Sequence, residues 1–558
     1  MDTQEPLKIV IVGGVGGGMA AAVRARRMNE MASITIVEKG EYISYANSGV
    51  PYVLGGLITT DTTLVLQTAA GLKARFNIDV CVNTELLAIS RNKHVIEVQD
   101  LNTDTVYSLP YDKLILSQGA EPLRPQIEGI DSPNIFTLQT LSDSYAIRNH
   151  VVKHECRRAA IIGGGFIGLK AAENLYNLGL QITVIESNNH VFPLFDRDMA
   201  ELLHTELRRQ KVQLYLNRKI EQLDRTEDGY VCNIILDDGS TVSADLVVTA
   251  TGIKAQTSVA REAGLAIGKN GVSVNVFMQS SDMDIYAIGD MVETEHQIAH
   301  RPQILALAGP ANRQGRLAAD HIFGIASPYR GNVGTFLSKV FNLTAGITGL
   351  SIEGLREIGY SPLWITVHLP DHAGYYPLSS QMTLRIAFEP FTGRLLGAQS
   401  IGRLGVDKRI DVLSTALQAG MSVFDLEHLE LSYAPQYGSA KDPVNMAGFV
   451  GSNLLRGLVD IFYPGEFQNM PRDWQILDVR PSEDYMRGHA PSAINIPIDS
   501  LRDNISRLDK SRPVIIYSRV GYYGYIAYRI LKQTGYKAAN LDGGYELFAK
   551  GATTVDPD

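Results

Sequence analysis

The side chains with the clearest chemical potential lie in glycine-rich turns that lead to an acid, and in two loops that present a serine hydroxyl. Gly13-Gly14-Val15-Gly16-Gly17-Gly18 follows the apolar run 8–12 and opens an Ala/Arg-rich segment, 19–28. Strand, glycine turn and helix start in that order cradle a dinucleotide pyrophosphate, because the first N–H groups of a helix have no partner and point at the anion. Val15 takes the middle glycine of the G-x-G-x-x-G spacing, so the assignment leans on Glu38, which ends the strand-like run 33–37 and can accept from ribose hydroxyls. Gly163-Gly164-Gly165-Phe166-Ile167-Gly168 has the full spacing, and Glu186 ends the run 181–185 beyond it. Two dinucleotide sites in one chain predict FAD and NAD(P)H. Ser187, Asn188 and Asn189 offer no arginine to a 2′-phosphate, which predicts NADH in preference to NADPH.

The hydroxyl loops are Ser44-Tyr45-Ala46-Asn47-Ser48-Gly49-Val50-Pro51-Tyr52 and Ser518-Arg519-Val520-Gly521-Tyr522-Tyr523. The first resembles the redox loop S-Y/F-A-N-C-G-hydrophobic-P-Y of the coenzyme A disulfide reductase, NADH oxidase and persulfide reductase branch of the pyridine nucleotide-disulfide oxidoreductases, with Ser48 in place of the redox cysteine. The second, together with the stretches 476–480, 488–495, 513–517 and 541–544, resembles a rhodanese domain. There Ser518 stands where C-x-x-G-x-R has its nucleophile, and Tyr523 where it has its arginine. A thiolate can attack a disulfide or carry sulfur because it titrates near neutrality, and a hydroxyl can do neither. The resemblance thus implies a scaffold from which the sulfur chemistry has been removed twice, leaving Ser48, beside Asn47, as a hydrogen-bond donor toward a bound carbonyl or the flavin.

The first resemblance covers about 8–453 and implies roles residue by residue. Gly13, Gly14, Gly18, Glu38, Lys39, Ser44, Gly119, Gly252, Asp290 and Ala308 join Gly163, Gly165, Gly168 and Glu186 as cofactor-binding positions, with Asp290 on the ribityl chain of FAD. Phe166 becomes an aromatic gate over the flavin. Lys170 stands where the family usually has a glutamate, a change that would alter which substrate is accepted. Tyr375, Tyr376, Tyr433 and Tyr437 belong to a segment that, in the family, forms a homodimer and reaches the partner's redox loop. Each is read either as interface packing or as substrate contact. Arg24 and Arg27, with Arg26 between them and Lys73, Arg75 and Lys441 further on, suit the phosphates of coenzyme A or a solvated basic face.

The elements that must position these groups are those of an α/β chain. Its 558 residues exceed one core and predict three or four domains at ~100–200 residues each. The expected organisation is two Rossmann-like nucleotide-binding domains, for FAD and NAD, an α+β dimerisation domain and a C-terminal rhodanese-like α/β domain. The FAD-binding domain is expected in two segments, 1–150 and 276–328, with the NAD(H)-binding domain inserted at 151–275. Dimerisation at 329–455, a linker at 456–472 and a degenerate rhodanese-like domain at 473–558 follow. A net charge of −9 argues against nucleic acid or an anionic membrane held by bulk charge. The short polar start and the lack of an apolar run of ~18 residues predict a cytoplasmic, soluble chain with no membrane partner. The three cysteines have no metal-ligand spacing, so no metal is expected. Cys81 and Cys232 read as small hydrophobes in strands, and Cys156 lies among His154, Arg157 and Arg158, a setting that lowers a thiol pKa.

Together these readings describe an FAD-dependent, NADH-oxidising homodimer that passes electrons to oxygen, a quinone or a coenzyme A thioester. Two alternatives stay open: a coenzyme A disulfide or persulfide reductase altered at Ser48, and a non-catalytic sensor of NADH or acyl-coenzyme A.

Overall fold

The computed structural model describes residues 5–59, 61–471 and 473–552. The chain divides into two compact units. One contains the residues up to Asn188 together with Val212–Asn332, the other Asn189–Lys211 together with the residues from Val333 onward.

The first unit holds two parallel five-stranded sheets. In one, Lys8–Val12 lies between Ser33–Val37 and Lys113–Leu116, with Asp79–Cys81 and Ile285–Ala287 at the edges. Ile9 and Ile11 pack into one core and Val10 and Val12 into another, so the strand is covered on both faces and reads as an unbroken apolar run. Helix Gly16–Met28 crosses back and packs on Ala308–Ile322. The two approach so closely that a Cβ on Gly315 would fall 2.2 Å from the Gly17 carbonyl oxygen. The second sheet is built the same way, with Arg158–Ile162 between Gln181–Glu186 and Leu246–Thr249, and Gln213–Leu216 and Ile135–Phe136 at the edges. It is inserted between Lys113–Leu116 and Ile285–Ala287, so the first sheet is completed only after the second in chain order.

The second unit contains an antiparallel sheet in the order Phe336–Val340, Leu343–Gly349, Leu395–Gly402, Gln381–Phe388, Leu363–Pro370. It also contains a parallel sheet in the order Ile461–Phe462, Ala538–Leu541, Val514–Tyr517, Gln475–Asp478, Ile494–Asn495. The connector expected at 456–472 therefore supplies an edge strand, which two paired residues are too few to signal in sequence. Helix Arg197–Arg209, from the stretch expected to belong wholly to the NAD domain, packs instead within this unit. Its start is fastened by Arg385, a buried guanidinium that binds Asp196 at 3.1 Å and Asp198 at 2.6 Å. The neighbouring Thr366 gives its N–H and hydroxyl to Asp542, each at 2.7 Å. One buried polar network thus ties the antiparallel sheet to the C-terminal parallel one.

Among the described residues no helix is long and apolar enough to cross a membrane, and no cluster of three or more His, Cys, Asp or Glu side chains could hold a metal ion.

Candidate active site

The two glycine turns are near copies. Gly13 has φ +102° and a Cβ there would lie 2.2 Å from the Ser117 carbonyl oxygen; Gly163 has φ +103° and its Cβ would lie 2.4 Å from that of Ala250. Both positions exclude a side chain, by space and by backbone conformation. A Cβ on Gly18 would fall 1.9 Å from the Gly13 oxygen, and one on Gly168 1.9 Å from the Gly163 oxygen, so each helix starts directly on its own turn. The acids are also held alike: Gly14 donates its N–H to Glu38 at 2.7 Å, and Gly164 to Glu186 at 2.7 Å. Gly40 donates to the other Glu38 oxygen at 2.8 Å, while burial pushes that carboxyl above the usual range.

Neutral donors surround Glu186: the Asn188 N–H and side-chain amide at 2.8 Å each, and the Ser187 hydroxyl at 3.3 Å. Arg218, whose N–H reaches the Glu186 carbonyl, has its guanidinium on Asp238 at 2.5 Å. Asp290 follows Gly289 at the end of strand Ile285–Ala287. Burial raises its carboxyl to about 6, and among the described residues nothing donates to it. A side-chain-free cradle at a helix start, an acid held on that turn by its N–H and an unpartnered half-buried carboxylate fit a dinucleotide whose hydroxyls would supply the missing donors. Gly119 and Gly252 also take positive φ, +74° and +122°, and the buried Ser44 hydrogen-bonds Gly14 through its N–H at 2.9 Å. Ala308 begins its helix, whereas Lys39 is exposed and paired with Glu85 at 2.7 Å.

The Ser48 loop is short and tightly held. Asn47–Gly49 forms a single turn that runs into helix Val50–Leu54, with Pro51 at its start. Gly49 donates to the Ala46 carbonyl at 2.8 Å, and the Ser144 hydroxyl fastens the Val50 carbonyl at 2.8 Å. Ser48 is exposed at the top of this turn, beside the equally exposed Asn47. The helix packs on Phe166–Asn177, where a Cβ on Gly55 would meet the Asn174 side-chain oxygen at 2.2 Å. That contact brings Tyr52 to the second nucleotide helix: Lys170 Nζ lies 4.1 Å from the Phe166 ring centre and 5.6 Å from that of Tyr52. Lys170 is buried, and desolvation lowers its pKa against the opposing field of Glu173. Ser48, Phe166 and Lys170, which the sequence presents separately, thus belong to packed neighbours. Sequence reasoning misses the roles of Tyr52 and Gly55, although Tyr52 stands in the quoted loop and a glycine directly after a helix marks a close approach.

In the second unit Tyr375 and Tyr433 share a hydroxyl contact of 3.1 Å, and both are exposed with Tyr376 and Tyr437. Lys441 is exposed as well. Of the basic set, Arg24 pairs with Asp320 at 2.5 Å and Lys73 with Asp79 at 2.8 Å, while Arg27 and Arg75 are exposed. Arg26 does not join a basic surface. It is buried and holds four carbonyls, those of Phe76, Asn77, Asn29 and Glu30. Cys156 also departs from expectation: burial first, then Asp245, pushes its thiol up, and Arg158 is paired with that aspartate at 2.6 Å. Ser518, at the end of strand Val514–Tyr517, is 1% exposed and accepts from the Gly521 N–H at 3.1 Å. Tyr523 stands exposed on the first turn of helix Tyr522–Gln533.

The family model of pyridine nucleotide-disulphide oxidoreductases matches residues 7–315, and that of rhodanese-like domains residues 463–550. A coenzyme A disulfide reductase of Staphylococcus haemolyticus is 32% identical over 449 residues, 80% of this chain and 100% of the relative. Among solved structures, the reduced CoADR-RHD of Bacillus anthracis is 40% identical with a TM-score of 0.95, covering 98% of this chain and 99% of that one. An NAD-dependent persulfide reductase from A. fulgidus is 35% identical with a TM-score of 0.92, covering 97% and 100%. The chain therefore belongs to the pyridine nucleotide-disulphide oxidoreductase family, as an FAD-dependent, NAD(P)H-using oxidoreductase that carries a rhodanese-like domain at its C-terminal end.

Proposed function

We propose that this oxidoreductase oxidises NADH and delivers the electrons to an acceptor that is not a disulfide. Ser48 carries the reading: the loop keeps its turn, its proline and its helix, yet presents a hydroxyl where the relatives' sulfur chemistry needs a thiolate. The free cysteines offer no substitute. Cys81 lies in strand Asp79–Cys81 with its carbonyl on the Glu38 N–H at 2.8 Å, and Cys156 and Cys232 line a separate cavity with Arg157 and Gln181.

Gly13, Gly14, Gly18, Glu38 and Asp290 would hold FAD, and Gly163, Gly165, Gly168 and Glu186 would hold NADH. When bound, FAD accepts a hydride from NADH and releases two electrons to the acceptor. Phe166, packed on the Ser48 helix through Lys170, screens the exchange from water, and Ser48 donates a hydrogen bond toward the acceptor. The exposed Tyr375, Tyr376, Tyr433 and Tyr437 are assigned to a homodimer contact, and Arg27 and Arg75 to the phosphates of a coenzyme A-type ligand, with the charges of Arg24 and Lys73 tempered by their aspartates. A second reading keeps the relatives' disulfide or persulfide substrate and treats Ser48 as a replaced cysteine. The independent losses at Ser518 and Tyr523 favour the first.

Anaerobic titration of the purified protein with NADH decides between them. Full reduction is expected to take two electrons per flavin with no long-wavelength thiolate charge-transfer band, and Ser48→Cys is expected to raise the uptake to four and bring the band in. Uptake of four electrons by the unaltered chain would sink the proposal.

A further inference from the structure

Lys170 is 7% exposed on helix Phe166–Asn177, and its ammonium faces two aromatic rings, Phe166 at 4.1 Å and Tyr52 at 5.6 Å. Among the described residues no hydrogen bond or ion pair reaches its Nζ; Glu173, one turn along, acts on it only through the field. Cation–π contact recovers part of the lost hydration, and the three N–H donors remain without a protein acceptor on a nitrogen that solvent still reaches. A buried polar group left so costs free energy, and such departures from local consistency are expected where a ligand completes the site. The rings identify the place: Phe166 opens the helix on the second glycine turn, and Tyr52 belongs to the helix that follows the Ser48 turn.

We propose that Lys170 is a catalytic acid for a quinone-class acceptor, giving its proton to the carbonyl oxygen on which charge collects as electrons arrive. The inference rests on the non-disulfide reading above. NADH supplies a hydride equivalent through the cofactor of the enzyme; the Nζ–H bond of Lys170 breaks, an O–H bond forms on the acceptor, and the lysine regains its proton from water. The sum is NADH, one proton and a quinone giving NAD+ and a hydroquinone. An amine whose charged form is disfavoured by burial releases its proton more readily than an exposed lysine, as a general acid at neutral pH must. The faces of Phe166 and Tyr52 suit a planar acceptor.

The test uses the FAD-loaded protein with NADH and three acceptors: 2-methyl-1,4-naphthoquinone, crotonyl-coenzyme A, and ferricyanide, which takes electrons without a proton. Lys170→Met is expected to lower the ratio of quinone to ferricyanide rates by about 100-fold or more. Lys170→Arg, which keeps charge but holds its proton, should fall with it. Without turnover, acetic anhydride at pH 8 should modify Lys170 faster than the exposed Lys153, and Lys170→Met should raise Tm by roughly a few degrees by removing an unpaired buried charge. An unchanged ratio, a lowered Tm, or Lys170-dependent reduction of crotonyl-coenzyme A with the quinone ratio unmoved would overturn the inference. A wild-type protein that reduces coenzyme A disulfide but neither quinone nor ferricyanide would instead overturn the proposed function itself.

Discussion

At the turns 13–18 and 163–168 the constraints fall on the main chain, whereas at Ser48 and Ser518 the proposed chemistry depends on side chains. The turns agree with each other in φ, in the 1.9 Å approach that excludes a Cβ and in the 2.7 Å bond to their acids. The serine loops keep their geometry too. Ser48 still tops a turn that starts a helix, and Ser518 still receives the Gly521 N–H, with Gly544 so near that a Cβ there would lie 2.7 Å from the Ser518 carbonyl oxygen. The turns are constrained by main-chain space at Gly13, Gly18, Gly163 and Gly168, whereas the proposed loss of sulfur chemistry concerns side chains and leaves the turn at Ser48 intact.

Filling the glycines should therefore break the first half of the contrast outright. Gly18→Val is expected to yield protein without flavin absorbance, since the new side chain collides with the turn that must hold the pyrophosphate. Gly168→Val should retain flavin but slow its reduction by NADH by about 100-fold, the scale of a misplacement near 1 Å. Yellow, NADH-reducible Gly18→Val protein would show that the turn is not the cradle.

The serine half sharpens under restoration. Ser518→Cys alone should leave thiosulfate sulfurtransferase activity near background, because Tyr523 supplies no positive charge to steady the anion. Ser518→Cys combined with Tyr523→Arg should exceed it by about 100-fold, and comparable activity in the two variants would show that the loop backbone suffices.

A smaller effect is expected at Glu186, whose neighbours Ser187 and Asn188 leave a 2′-phosphate facing a carboxylate. NADH should exceed NADPH in kcat/KM by roughly 10- to 100-fold, and Glu186→Ser should bring the two closer. Equal efficiencies in the wild type would contradict that assignment.

The features legible in sequence are those written in local periodicity. The apolar runs 8–12 and 33–37 are strands with those bounds, and each glycine turn announces its helix, because buried parallel strands and positive-φ glycines leave a compositional trace. The α/β class and the rhodanese-like end follow from such motifs. What depends on distant segments does not show. Arg26 has the same local context as its neighbours on the helix, and only the approach of Phe76 and Asn77 turns it inward. Cys156 sits among cations in sequence, yet burial, and then Asp245 far along the chain, pushes its thiol up. Lys170 is marked as unusual by its position after a glycine turn, but its setting between two rings requires the Ser48 helix to pack on its own. The edge strand Ile461–Phe462 carries too few residues for any periodic signal.

The smallest effect separates main-chain from side-chain binding inside the proposed flavin site. Asp290 has no donor among the described residues, and burial lifts its carboxyl from the ordinary 3.8 to about 6. Cofactor hydroxyls that donate to it favour the charged form and so lower that value on binding. Proton and cofactor then compete: above about pH 6 the carboxylate is already ionised and affinity is level, whereas below it each binding event must expel a proton and affinity falls. If binding lowers the value by about one unit, the dissociation constant of FAD should rise by roughly fivefold between pH 7 and pH 5. Asp290→Asn, which keeps shape but cannot ionise, should bind more weakly at pH 7 and lose this dependence, while the glycine turns, being untitratable, contribute equally at both values. Measuring flavin release on dilution at the two pH values for both proteins checks the assignment. A pH dependence that survives in Asp290→Asn would place the titrating group elsewhere, with Glu38, whose buried carboxyl is also raised, the next to be replaced.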